Sequence, residues 1–130
     1  MSVEENKVLV RRFLEALDTN DLGALDDVCS ADVARDWGDG INAGPWTDHH
    51  LEVKQMVAED NRVMVVLATR GVLSGEFHGI PPTGAPFTNL GAVMFSLDGG
   101  KIDEVATFFD DLDIVTRQLG ATITPPASNG

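Results

Sequence analysis

Apolar residues in the first segment recur mostly at intervals of three and four. Val8, Val10, Phe13, Leu14 and Leu17 are separated by charged residues. Such spacing draws one stripe along a helix, so Val3 to Asp18 is predicted helical. Ser2 with Glu5 three residues on supplies a capping box. Asp18-Thr19-Asn20-Asp21 interrupts the stripe. Asn20 or Asp21 then caps a second helix with Leu22, Leu25, Val28 and Cys29 on its apolar face. Asp32 to Trp37 is short and reads as a first strand. Gly38 to Trp46, rich in Gly, Asn, Asp and Pro, reads as a loop.

From His49 the period changes to two. His49, Leu51 and Val53 alternate with His50, Glu52 and Lys54, predicting a half-buried strand to Ala58 with an irregularity near Gln55-Met56. Arg62 to Glu76 and Pro86 to Leu97 are two more strands, separated by a Pro-Gly elbow. Asp98-Gly99-Gly100 is a tight hairpin turn, and Lys101 to Phe109 closes the sheet. Asp110 and Asp111 open a short last helix through Leu119, stopped by Gly120. Helices first and hairpin-linked strands afterwards make an α+β domain over residues 1–121, with 122–130 as a tail. One antiparallel or mixed sheet, covered on one face by the N-terminal helices, follows; if that sheet is strongly curved, a pocket opens between it and the first helix.

Composition narrows the function. At 130 residues and 43% hydrophobic, the chain can bury one core and still enclose a cavity. Its formal charge of −12 repels nucleic-acid phosphates and anionic membrane surfaces. No apolar run reaches the ~18 residues of a membrane span, and the first residues lack the pattern of a secretory leader. The lone Cys29 cannot form an internal disulfide, which fits a reducing compartment, so a cytoplasmic protein is expected. No phosphate loop, nucleophile elbow or Cys/His metal cluster is present. Adjacent His49 and His50 would point to opposite sides of a strand, so they are no metal pair. Neither a metal nor an organic cofactor is expected.

The chemistry-bearing candidates sit on strand ends and at the elbow. By the period-two rule Glu104, Ala106, Phe108 and Asp110 share a face. Ala106 and Phe108 make that face apolar, where a carboxylate would be poised to exchange protons. The competing reading makes Asp110 the N-cap of the last helix. His49 shares parity with Leu51 and Val53, as an inward site residue or a hydrogen-bonded core histidine. His78 lies in the elbow, rimming the pocket or facing water. Arg70 pairs with Asp36 or orients a substrate carbonyl, or else is a sheet-surface or ion-pair residue. Trp37 and Trp46 flank the Gly-rich loop, and with Phe13 and Phe108 they are expected to line the substrate pocket.

Asn6 to Leu17, Asn20 to Leu25, the elbow Gly75-Glu76-Phe77-His78-Gly79-Ile80-Pro81-Pro82-Thr83-Gly84, Gly100 to Glu104 and the ending Gln118-Leu119-Gly120 resemble SnoaL-like polyketide cyclases. The resemblance implies the cone-shaped fold shared with nuclear transport factor two, ketosteroid isomerase and limonene epoxide hydrolase. It also implies a homodimer and a cofactor-free reaction on a small apolar, oxygenated, polyketide-like substrate. A carboxylate at the end of the last strand would act as general acid/base, and that position falls on Asp110. Asp36, His49, Arg70 and Trp37 would position the substrate. The departures are specific. Gly38 to Trp46 is too short for the family's third helix, which leaves the pocket open or lidded by a loop. Asp36-Trp37 stands where members carry a His, and Ala106 where they carry a Trp. Val93 to Leu97 holds no auxiliary His, and the chain has no Tyr. Asp36 and Arg70 make only part of an Asp-Arg-Asp epoxide-opening set, because Val72 holds the third place. Three readings follow: a cyclase or isomerase, an epoxide-opening enzyme, or a non-catalytic binding or dimerisation module.

Overall fold

In the computed structural model, which describes residues 2–122, the first helix α1 spans Val3–Asp18. Its capping box is complete. Ser2 Oγ accepts the Glu5 N–H at 3.1 Å and the Glu5 carboxylate accepts the Ser2 N–H at 3.3 Å. Val10, Phe13, Leu14 and Leu17 are buried, while Val8 faces outward. Asn20 turns the chain with a positive φ, and Leu22–Asp27 forms a single 3-10 segment rather than an α-helix. Leu25, Val28 and Cys29 are nonetheless buried as the apolar pattern requires.

The next segment overturns two expectations. Asp32 to Trp37 is not a strand and Gly38 to Trp46 is not simply a loop. Both belong largely to one helix, α2, over Ala31–Ala43, so the helix expected to be missing is present. Ser30 caps it, accepting the Val33 N–H at 3.4 Å. Val33 and Trp37, four apart, share the face that packs on the core. Glycine in a helix costs only about 1 kcal/mol relative to alanine, and burial of that face outweighs Gly38 and Gly40.

Four antiparallel strands follow in simple order: β1 (Trp46–Glu59), β2 (Arg62–Leu73), β3 (Pro86–Asp98) and β4 (Lys101–Phe108). Each strand pairs with its predecessor, across short turns at 60–61 and 99–100 and across the longer elbow of residues 74–85 between β2 and β3. Val63, Val65, Leu67, Val93, Phe95 and Leu97 form the inner face against the helices. Phe13 anchors that core, meeting Phe95 and Trp37 edge-on at 5.4 and 5.6 Å. No described element covers the outer face, where Leu90 and Phe108 are 63% and 59% exposed.

Two bulges punctuate the ladder. One, between Val53 and Gln55, lies where the alternation predicted an irregularity. The other leaves Asp103 unpaired, because Ser96 faces Glu104 while Leu97 faces Ile102. A one-residue insertion exchanges the two faces of the strand beyond it. After Asp103 the odd residues Val105 and Phe109 turn toward the core, and Ala106 and Phe108 turn away.

The chain ends in α3 (Asp111–Asp113), which passes directly into a π-type turn at Ile114–Gln118. The Gln118 side chain continues the sheet where β4 has stopped. Its Oε1 accepts the Thr88 N–H at 2.8 Å and its amide donates to the Thr88 carbonyl. Gly120 follows with φ 76°, as its place after the last turn suggested. The sequence tail from 123 lies outside the described residues. No described helix is long and apolar enough to cross a membrane.

Candidate functional site

Leu51, Thr69 and Asn89 stand side by side across β1, β2 and β3. All three occupy the inward phase of their strands, and Thr69 and Asn89 are polar groups on an otherwise apolar wall. Among the described residues neither side chain has a hydrogen-bond partner. Both border a cavity of about 190 Å³ walled by Trp46, Phe77, Phe87, Phe109 and Ile114. Gly40 and Gly44, at the end of α2, close one side. Trp46 holds the aromatic wall together, with Phe87 at 3.9 Å and Phe77 at 4.7 Å between ring centroids.

The elbow delivers the cavity's mouth. Phe77 and Ile80 exchange both backbone hydrogen bonds at 2.9 Å. His78 and Gly79 between them have φ of 49° and 81°, so the turn requires two left-handed residues in succession. Histidine tolerates that region better than most side chains. The turn aims His78 at the start of α3, where its Nε2 lies 3.1 Å from Asp111 Oδ2. Asp111 also borders the cavity. Deeper in, His49 Nε2 lies 3.0 Å from the Leu17 carbonyl. A carbonyl only accepts, so Nε2 carries the hydrogen and Nδ1 of the neutral ring is an acceptor.

The structure brings together some of the predicted residues and disperses others. His49 and Trp46 border the cavity, and His78 stands at its rim bonded to Asp111. Phe13 and Trp37 are core residues packed on each other, not pocket lining. Asp36 is exposed on α2, 3.8 Å from Arg35, and does not border the cavity. Arg70 is exposed in the outward row His50–Arg70–Thr88 and touches the cavity's edge, with no ion pair to Asp36. Phe108 is on the outer face. Asp110 is exposed and Oδ1 accepts the Asp113 N–H at 3.0 Å, the capping role. The apolar inward face expected for Asp110 does not exist, because the Asp103 bulge shifts the alternation by one. The acid that borders the inner cavity is its neighbour, Asp111.

Thr69, Asn89, Phe77, Phe87, Phe109 and Asp111 were not singled out from the sequence. Two had a visible signal. Thr69 falls in phase with Val65 and Leu67, and Asn89 with Phe87 and Val93, so each is a polar residue on an inward stripe.

A second hollow, open and about 740 Å³, is bordered by the outward His50, Glu52 and Leu90 and by Asp110, Asp113 and Arg117, and it shares Leu51, Thr69, Arg70 and Asn89 with the first. Arg117 grips Asp113 through two hydrogen bonds of 2.6 and 2.9 Å. These bonds, with one from Gln118, hold the Asp113 carboxyl below its usual range. Cys29 belongs to neither hollow. Burial, then Asp26, pushes its thiol up to about 11 against the pull of Lys101, so it is an inert core group. No cluster of three or more His, Cys, Asp or Glu among the described residues is arranged to hold a metal.

The sequence pattern of the SnoaL-like polyketide cyclase family matches residues 46–119. Solved structures agree on the fold. IdmH, a candidate polyketide cyclase of Streptomyces antibioticus, is 25% identical with TM-score 0.73, covering 89% of this chain and 99% of that one. A SnoaL-like polyketide cyclase of Agrobacterium tumefaciens is 18% identical with TM-score 0.78, covering 92% and 100%. An LEH-like epoxide hydrolase of M. tuberculosis is 16% identical with TM-score 0.68, covering 90% and 91%. No match was found among curated proteins.

Proposed function

The chain belongs to the SnoaL-like polyketide cyclase family, and from that premise we propose that it is a cofactor-independent cyclase or isomerase. Its substrate would be a small, apolar, oxygenated, polyketide-like intermediate held in the inner cavity. The observation that carries this reading is the Asp111–His78 pair at the mouth of an apolar hollow whose floor holds two unengaged polar side chains.

In this mechanism the Asp111 carboxylate takes a proton from the carbon beside a substrate carbonyl. His78 fixes the orientation of that carboxylate through its hydrogen bond. The Thr69 hydroxyl and Asn89 amide donate to the carbonyl oxygen as it becomes an enolate, and low-dielectric walls strengthen those bonds. Returning the proton to a different carbon completes an isomerisation. Alternatively the enolate carbon attacks a second carbonyl, closing a ring, and the proton held on Asp111 passes to the new alkoxide. His49 Nδ1 is available to accept a substrate hydroxyl. Acid/base help of this kind contributes about 10²–10⁴ in rate.

The test is proton exchange. Small cyclic β-diketones and ketones in D₂O should exchange their α-hydrogens faster with the protein than without it, followed by NMR. Asp111→Asn should remove the acceleration while ligand binding survives. Binding without any acceleration in the wild type would leave a non-catalytic binding module instead. Epoxide opening by the same Asp111 is the second reading, favoured by the likeness to the M. tuberculosis hydrolase. It would give a diol or cyclic ether from an epoxide probe. With Val72 in the third place of the Asp-Arg-Asp set and Asp36 not paired with Arg70, Asp111 would act without that set.

The uncovered outer face is assigned to a second copy of the chain. Leu90, Phe108 and Val57 are exposed there among charges of both signs, Glu52 and Glu104 with Arg62 and Arg70. Two copies related by a two-fold axis can pair those charges despite the net −12. Sedimentation should report a dimer that Phe108→Glu converts to monomer; a monomeric wild type would remove the assignment.

A further inference from the structure

The inner cavity is small because two aromatic rings border it, and each is seated over a glycine. Gly71 and Gly91 occupy inward positions of β2 and β3, between neighbours such as Leu73 and Val93 that carry full side chains. A Cβ on Gly91 would overlap Cδ1 of Phe109, and one on Gly71 would stand 2.7 Å from Cε1 of Phe87. Only hydrogen leaves room for either ring. Both rings border the cavity, and Trp46 packs on Phe87 from the other side. The space left, about 190 Å³, lies below the roughly 300–1,000 Å³ typical of pockets for drug-sized ligands.

Resting on the reading of this cavity as the reaction site, we infer that Phe87 and Phe109 are specificity-determining residues that restrict the substrate to a single-ring ketone-sized molecule. Gly71 and Gly91 set the restriction by letting the rings lie close to the sheet. Fused polycycles are excluded by the rings and not by the cavity mouth. This runs against the ordinary trend, in which affinity rises with apolar area, so a size order is informative.

The test is equilibrium binding of cyclohexanone, 2-decalone and anthrone by ligand-observed NMR, independent of turnover. The wild type should bind cyclohexanone and bind the two larger ketones at least about tenfold more weakly. Phe109→Ala should bind 2-decalone at least tenfold more tightly than the wild type does. Gly91→Ala should push the Phe109 ring into the cavity and weaken cyclohexanone about tenfold, and the double variant Gly91→Ala/Phe109→Ala should recover it. Circular dichroism checks folding; should Gly91→Ala fail to fold, Phe109→Ala and Phe109→Leu on the wild-type glycine decide the matter. A wild type that binds anthrone as well as cyclohexanone, or no cyclohexanone at all, overturns the inference. So does a Phe109→Ala variant with the wild-type size order. If the size order appears without α-proton exchange, the catalytic reading fails and the size restriction stands.

Discussion

Two hollows of opposite character meet along the sheet and share Leu51, Thr69, Arg70 and Asn89. The inner one is small and apolar, with Thr69, Asn89, His49 and Asp111 among aromatic rings. The outer one is about four times larger and ringed with charges, among them Arg117 paired with Asp113 and Glu52 paired with Lys54. Consecutive acids divide between them: Asp111 borders the inner cavity while Asp110 borders the outer hollow and caps a helix. Size and charge make the outer hollow conspicuous. Its aromatic walls make the inner one the better place for the proposed chemistry, because hydrogen-bond donors act more strongly beside apolar surface, although the Asp111 side chain at its mouth is half exposed.

The largest expected effect separates those two acids. Asp111→Asn should lower turnover by about 10²–10⁴-fold, whereas Asp110→Asn, which keeps a side chain able to cap, should leave the rate near that of the wild type. Steady-state kinetics on the two variants decides between them, and the reverse order would return the chemistry to the outer hollow. A comparable contrast applies to the two faces of the sheet. Phe95→Ala removes a buried ring and should cost about 3–5 kcal/mol in urea unfolding. Phe108→Ala, on the exposed face, should cost far less in the isolated monomer.

Smaller effects sharpen the comparison between core and surface. Cys29 has a raised folded-state pKa, so the native state holds its proton between pH about 9 and about 11 while the unfolded chain releases it. Stability is therefore full below pH 9 and falls as pH rises toward 11, by at most about 3 kcal/mol. Cys29→Ala should flatten that slope in denaturant titrations at graded pH. At the surface the sign is opposite. The lowered Asp113 carboxyl contributes stability above its ordinary pKa and loses it as pH falls. Asp110→Ala should cost about 0.5–2 kcal/mol through the lost cap, read from thermal melts as the smallest change.

Much of this fold was legible in the residues. Alternation located β1, apolar runs between turn signals located β2, β3 and β4, and the stripe and capping box located α1. The elbow and the Leu-Gly ending carried the family. What stayed hidden has physical causes. Glycines at 38 and 40 imitate a loop, yet a helix forms because Val33 and Trp37 bury one face. The bulge at Asp103 has no local marker, since an extra residue in a ladder is defined by the partner strand. That single insertion put Asp111, and not Asp110, beside the inner cavity and moved Phe108 to the outside. Phe13 and Trp37 were recognisable as inward aromatics, but core and cavity wall differ only in what packs beyond them. Thr69 and Asn89 were readable as polar residues on apolar stripes.

A crystal structure with a bound cyclic ketone tests the central assignment most directly. The account predicts the ligand between Phe87 and Phe109, its oxygen within hydrogen-bond reach of Thr69 or Asn89 and its α-carbon beside Asp111. A ketone seated instead against Arg70, Asp110 and Leu90 on the open face, with the inner cavity empty, would contradict it.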